Sequence, residues 1–202
     1  PYGKNATIAI YEVFNPHEEK ASIRISPLIN SRHFHDVTDK DNLAWNFIQK
    51  PFEQGTIVQP SVPLSALIFS SSNRGFFVEE ARWVEEIHFR VDASRGESCI
   101  DDYFRPGWLE FLVAPKERKK FYVLAVAGKN ENEAQNIFSS IRKEPEAIDA
   151  SYGQEVERRK DLLTGFQERY VDLEIKDWLK WLIIATDSFL VNRESTKKKT
   201  VI

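Results

Sequence analysis

Methionine is absent from the 202 residues, and cysteine occurs once, at Cys99. Without a methionine, Pro1 is not a native start, and the sequence reads as a fragment of a longer protein. A single cysteine excludes a framework of internal disulfides and fits a cytoplasmic location. Long apolar runs are also missing. None approaches the 18 residues of a membrane span, and the first twenty residues lack a basic stretch leading into an apolar core, so neither a membrane helix nor a secretory signal is expected. Charge of one sign is not in excess: 28 basic and 31 acidic residues leave a net charge of −3. The basic footprint of a nucleic-acid binder is therefore lacking. There is no G-x-S-x-G, no glycine-rich phosphate loop and no C-x-x-C, which removes three common signatures of catalysis or cofactor binding. What remains is a globular composition, 42% hydrophobic and 29% charged, above the range of disordered chains.

Proline and glycine thin out along the chain. Fourteen of the 17 fall in residues 1–130, and only Pro145, Gly153 and Gly165 follow. The first part reads as strands. Lys20 to Leu28 alternates, with Ala21, Ile23 and Ile25 facing in and Ser22 and Arg24 facing out, the period-two signal. Ala6 to Val13 precedes it across the turn residues Asn15-Pro16, so the two are expected to form a hairpin. Strands are also expected at Pro63 to Phe69, Gly75 to Glu79, Trp83 to Val91, Trp108 to Val113 and Lys119 to Ala127, the last two as a pair. Residues 121–126 are all apolar, which predicts a strand covered on both faces. Intervals 30–62 and 92–106 read as long loops, usually functional or disordered.

The second part reads as helices. One begins at Asn130-Glu131 with Ala134, Ile137, Phe138 and Ile141 as its apolar stripe. A second runs from about Asp149 to Tyr170. A third runs from about Asp172, as N-cap, to Asn192, with Ile175, Trp178, Leu179, Leu182, Ala185 and Phe189 as its stripe. Trp181, Ile183 and Ile184 make this last helix apolar around much of its circumference, which predicts an exposed strip and self-association.

Two segments could carry chemistry. In Asn30 to Asp36, extended backbone would put His33 and His35 on one face, where a metal could bridge them. No third ligand is set by spacing, and His88 lies on another strand, whereas zinc takes three or four protein ligands. No metal site is expected. A satisfied polar loop and a ligand-contacting loop remain, the latter with Asn30 and Arg32 donating to sugar hydroxyls or carboxylates. The second segment is Ser94-Arg95-Gly96-Glu97 followed by Asp101-Asp102. Paired carboxylates suggest acid–base work, but adjacent residues of an extended chain point to opposite faces. The plainer reading is that one caps a turn and the other pairs with Arg95 or Arg105.

Pro27 to His35 resembles the P-x-x-N-x-R-x-x-H segment of the N-terminal domain of microbial glycogen debranching enzymes of the amylo-α-1,6-glucosidase type. Arg95-Gly96, Asp101-Asp102 and Pro106-Gly107-Trp108 are similar to that domain's R-G…E/D-D-x-x-x-P-G segment. Ala185 to Arg193 resembles A-x-D-x-F-x-V-x-R, from the first helix of the family's catalytic barrel. Ser31 and His33 stand where the family usually has aromatic and acidic residues. The resemblance implies a mainly β then α chain: a β-sandwich (supersandwich) followed by helices that begin an incomplete (α/α)6 barrel. The implied divisions are 1–130, the sandwich with its first strands missing; 131–170, linker helices; and 171–202, the first barrel helix. The implied role is glucan binding and site shaping by Asn30, Arg32, His35, Arg95, Asp101 and Asp102. The hydrolytic carboxylates would lie elsewhere in the barrel, no cofactor would be needed, and the partners would be branched α-glucan and that barrel. The alternatives are a non-catalytic sandwich that pairs with another chain, and a mutarotase-like enzyme using His35 with a carboxylate.

Overall fold

The computed structural model describes residues 3–33, 36–62, 66–71, 75–141, 143–193 and 198–201. In chain order the strands and helices are β1 (Ala6–Phe14), β2 (Ala21–Ile25), β3 (Phe47–Phe52), β4 (Gly55–Pro60), β5 (Ala66–Ser71), β6 (Phe76–His88), α1 (Arg90–Ser94), β7 (Ile100–Val113), β8 (Arg118–Gly128), α2 (Glu131–Ser139), α3 (Pro145–Arg169), α4 (Asp177–Ser188), β9 (Leu190–Arg193) and β10 (Lys198–Val201). A single 3-10 turn, Lys40–Asn42, is the only other element among the described residues. They divide into two compact units, Gly3–Ala147 and Ile148–Ile202.

The first unit holds two antiparallel sheets, ordered β1-β8-β5-β4-β3 and β2-β7-β6. Their facing sides share one core: Phe69, Phe121 and Val123 from the first sheet meet Leu109 and Phe111 from the second, with Ile23 and Ile25 at the edge. This is the arrangement of a β-sandwich. The other face of the five-stranded sheet is covered by α2, whose Ala134 and Phe138 pack with Ile141 on Ile57, Ile68, Leu124 and Val126. β8 is thus buried on both sides, which is why its residues are apolar without alternation. Asn130 caps α2 by accepting from the Glu133 N–H, and the Glu133 carboxylate accepts from the Lys129 N–H. Because α2 packs on the sheet, the compact unit extends past residue 130 to Ala147.

Pairing departs from the expected hairpins. β1 pairs with β8 and β2 with β7, so β1 and β2 lie in different sheets. β7 and β8, expected as a pair, are also in different sheets. Both connections therefore cross between layers, and Asn15 ties them together. It is 2% exposed; its Nδ2 donates to the carbonyls of Glu19, Val113 and Ala114, and its backbone N–H to that of Glu117. An amide buried among carbonyls that are turning away from a ladder satisfies groups neither sheet can reach.

The two intervals read as loops contain regular structure. β3 and β4 form a hairpin in register from Phe47↔Pro60 to Phe52↔Gly55, with Glu53 at φ 47° in its turn. Gly55 is required there, since a Cβ would sit 1.9 Å from the Phe69 carbonyl oxygen. In the second interval β7 starts at Ile100 and runs 14 residues. Trp83 to Val91 does not continue as a strand: β6 ends at His88 and α1 takes up Val91.

α3 begins at Pro145, at the end of the first unit and before the expected start, with a residue suited to a first helical turn. α4 is shorter than the expected helix. Its N-cap is Lys176 rather than Asp172, and it ends at Ser188. Thr186 and Ser188 hydroxyls donate back to the Ile183 and Ala185 carbonyls, a local competition that loosens a helix end. The following residues pair as β9 with β10. The half-buried residues of α4 are Leu179, Ile183, Ile184 and Asp187, with Ile175 half-buried just before the helix, whereas Trp178, Trp181, Leu182 and Phe189 of the expected apolar surface are exposed. Arg158 of α3 binds Glu155 at 2.8 Å and Asp187 of α4 at 2.5 Å. The Arg158 hydrogen bond holds the Glu155 carboxyl down at about 2 and that of Asp187 below its usual value.

Candidate functional site

β7 is the backbone of the site. β2 covers only its last five residues, from Leu109 to Val113. The open edge of its first half is closed by the segment leaving β2. Ile29 and Phe104 exchange two backbone hydrogen bonds of 2.9 Å, and the Asp102 N–H donates to the Thr38 carbonyl. This segment carries Asn30 and Arg32, and the pairing brings them to Asp101 and Asp102.

Asp101 is 1% exposed. Its carboxylate accepts from Arg32 Nη2 at 2.6 Å and Nε at 3.2 Å, from the Thr38 N–H at 2.7 Å and from Asn30 Nδ2 at 3.3 Å. Burial of a carboxylate is tolerated only with such a complement, and a carboxylate has about four lone-pair sites. Asp101 is therefore saturated and unsuited to take a proton from a substrate. Burial alone would pull the Arg32 guanidinium down, but Asp101 outweighs it and holds it above its ordinary value. Burial and then Asp101 push the Tyr103 phenol up.

Asp102 points the other way, as adjacent strand residues must. It accepts from the Lys40 N–H and from the Glu86 N–H, both at 2.9 Å. Glu86 can donate because β6 bulges between Val84 and Ile87, with Glu86 at φ 55°; a bulge frees an N–H from the ladder. Asn30 completes the lattice, donating to the Asp102 carbonyl and accepting from the Thr38 hydroxyl at 2.6 Å.

Four of the sequence-predicted residues are thus brought together: Asn30, Arg32, Asp101 and Asp102. Arg95 is not among them. It caps the end of α1, exposed, and the partner of Asp101 is Arg32, while Arg105 pairs with Glu80 at 2.5 Å. His35 lies outside the described residues. Among the described residues, no three His, Cys, Asp or Glu side chains group as metal ligands.

Above Asp101 opens a cleft of about 620 Å3, lined by Arg32, Tyr103 and Phe89 with the carboxyl groups of Asp36, Asp92 and Glu97 and the hydroxyl of Ser98. Its rings offer apolar faces, and its carboxylates and Ser98 accept from hydroxyl donors, while Arg32 donates. Tyr103 lies two positions along β7 from Asp101, an alternation that a reading of 92–106 as loop does not reveal. Phe89, Asp92 and Thr38 carried no local signal, because the strand end, α1 and the loop meet only through tertiary pairing.

The fold and cleft define a β-sandwich domain with a polar, aromatic-flanked recess at the start of one central strand. Residues 1–120, more than half of the chain, match the family model of the glycogen debranching enzyme N-terminal domain, and the chain belongs to that family. No curated protein and no solved structure matches the chain.

Proposed function

We propose that this domain binds and positions branched α-glucan for an amylo-α-1,6-glucosidase, with Arg32 as its principal donor. The observation that carries the reading is the saturation of Asp101. A buried carboxylate spent on fixing a guanidinium beside a cleft suits recognition rather than proton transfer. The acid and base that hydrolyse the α-1,6 bond, a pair of carboxylates in such enzymes, then belong to an (α/α)6 barrel of which residues 171–202 form the opening. The cytoplasm is the proposed location. Against the mutarotase-like alternative, Asp101 spends its acceptor sites on Arg32, Asn30 and the Thr38 N–H.

The test is glucan binding by the chain and its Arg32→Ala variant. Retardation in glycogen-containing gels is expected for the chain and should fall at least about tenfold in the variant, the loss of a charged hydrogen bond, when both are compared at a temperature where the variant, destabilised by leaving buried Asp101 without its cation, is still folded. Limit dextrin should release no glucose with either. Unchanged retardation with a large stability loss would make Arg32 purely structural.

Self-association is proposed to run through α4. Trp178 is 64% and Trp181 72% exposed, with Leu182 and Phe189 near half. Contiguous apolar surface of this kind is uncommon on monomers. Sedimentation velocity should show oligomers that Trp181→Lys converts to monomer; a monomeric parent chain would refute this.

A further inference from the structure

A second cleft opens on the Asp102 side of β7. It measures about 450 Å3 and is lined by Trp45 and Trp83 with Lys40, Asn46 and Ser61, within the range of about 300–1,000 Å3 usual for small-ligand sites. Both tryptophans are half-buried and braced from behind by one ring. Phe47 meets Trp45 edge-on at 5.0 Å and Trp83 at 5.7 Å, and Trp83 also meets Phe104 at 5.9 Å. Phe47 and Phe104 are core residues, so the two indoles are held in place before any ligand arrives. Neither indole N–H has a partner among the described residues. Half-buried tryptophans with an apolar body and an unspent donor are the usual form of a recognition anchor.

The polar groups around them are equally organised. Asn46 and Ser61 exchange hydrogen bonds of 3.0 and 2.7 Å, and the Asn46 side-chain oxygen accepts from the Phe47 N–H, while Asn46 itself is exposed. Asp102 fixes the Lys40 backbone at the other end. The Lys40 ammonium is already paired with Asp41 and Glu85, so the cleft offers no free charge for an anion.

We propose that this cleft is a second glucan-binding site, separate from the Arg32 cleft, in which Trp45 and Trp83 receive the C–H faces of glucosyl rings and Asn46 and the indole N–H groups bond their hydroxyls. The proposal rests on the glucan reading above for its ligand class. Rigid paired rings, amide and hydroxyl donors and no unpaired charge match a neutral, hydroxyl-rich chain.

The probe is maltoheptaose, titrated into the chain while tryptophan fluorescence is followed, beside retardation in glycogen gels. Trp45→Ala and Asn46→Ala should each weaken binding, the first at least about tenfold as for truncation of a central aromatic anchor. Trp45→Tyr, which keeps a ring, should recover most of it. Gly153→Ala, which lines neither cleft and has no atom near its added Cβ, should leave the fluorescence response in place. If the chain binds maltoheptaose and all Trp45 and Asn46 variants bind it equally, this site is refuted and the Arg32 reading stands. If the chain binds neither maltoheptaose nor glycogen, both fall.

Discussion

Asp101→Ala is expected to lower the stability of the sandwich unit by about 3–5 kcal/mol, the cost of removing one partner from a buried ion pair. The lost carboxylate accepts from Arg32, Asn30 and the Thr38 N–H. The backbone N–H cannot move away without unseating the segment that closes the open edge of β7. Arg32 can relax, because a quarter of its side chain is exposed. Arg32→Ala also costs stability, because it leaves the Asp101 carboxylate buried without its cation, but it alone removes the donor that lines the cleft. Urea unfolding checks this. A loss below about 1 kcal/mol for Asp101→Ala, within the range of exposed pairs, would mean that the buried lattice is not holding the loop. Asp101→Asn should fall between, since an amide keeps the shape but turns a donor toward donors.

Gly107→Ala is expected to cost about 3 kcal/mol or more, combining backbone strain with overpacking. Gly107 has φ 146°, and a Cβ there would lie 2.0 Å from the Val78 carbonyl oxygen. That oxygen belongs to the partner strand, since Gly107 pairs with Glu79 in the β6–β7 ladder just before the first bulge of β6. Side-chain rearrangement cannot relieve a clash with backbone, so β6 would have to separate from β7 and take the Glu86 N–H away from Asp102. The expected signature is a large drop in melting temperature together with weaker glucan retardation. Gly153→Ala is the control. It lies inside α3 with no atom near its added Cβ, and should be neutral or favourable by up to about 1 kcal/mol. Equal melting temperatures for Gly107→Ala and the parent chain would refute the steric account. The same clash explains why a glycine follows Pro106 in the segment that resembles the debranching domain.

Much of the first unit was legible locally. The inward face of β2, the unalternating burial of β8 and the stripe of α2 follow from side-chain period alone, because strand and helix geometry repeat within a few residues. The Asn30–Arg32 segment was legible through the spacing of its polar residues. The sequence alone also established that Asp101 and Asp102 face opposite ways, which argued against a catalytic dyad before any contact was known. It carried enough of the family pattern to be placed with the debranching domain.

Pairing was decided elsewhere. β1 and β2 are separated by a turn-like stretch, yet each finds its partner about a hundred residues away, because burial across two layers outweighs the short connection. Asn15 looked like a turn residue, and only the convergence of two crossing loops made it a buried clamp. Ile100 to Tyr103, polar and flanked by arginines, read as loop because a buried carboxylate has no local signature. Arg32, Thr38 and the Glu86 bulge make Asp101 and Asp102 compatible with a strand, and none of them lies within ten residues. Period and composition settle which face of a strand is apolar. The identity of the strand beside it, and the compensation of a buried charge, depend on groups that meet only after the chain has folded.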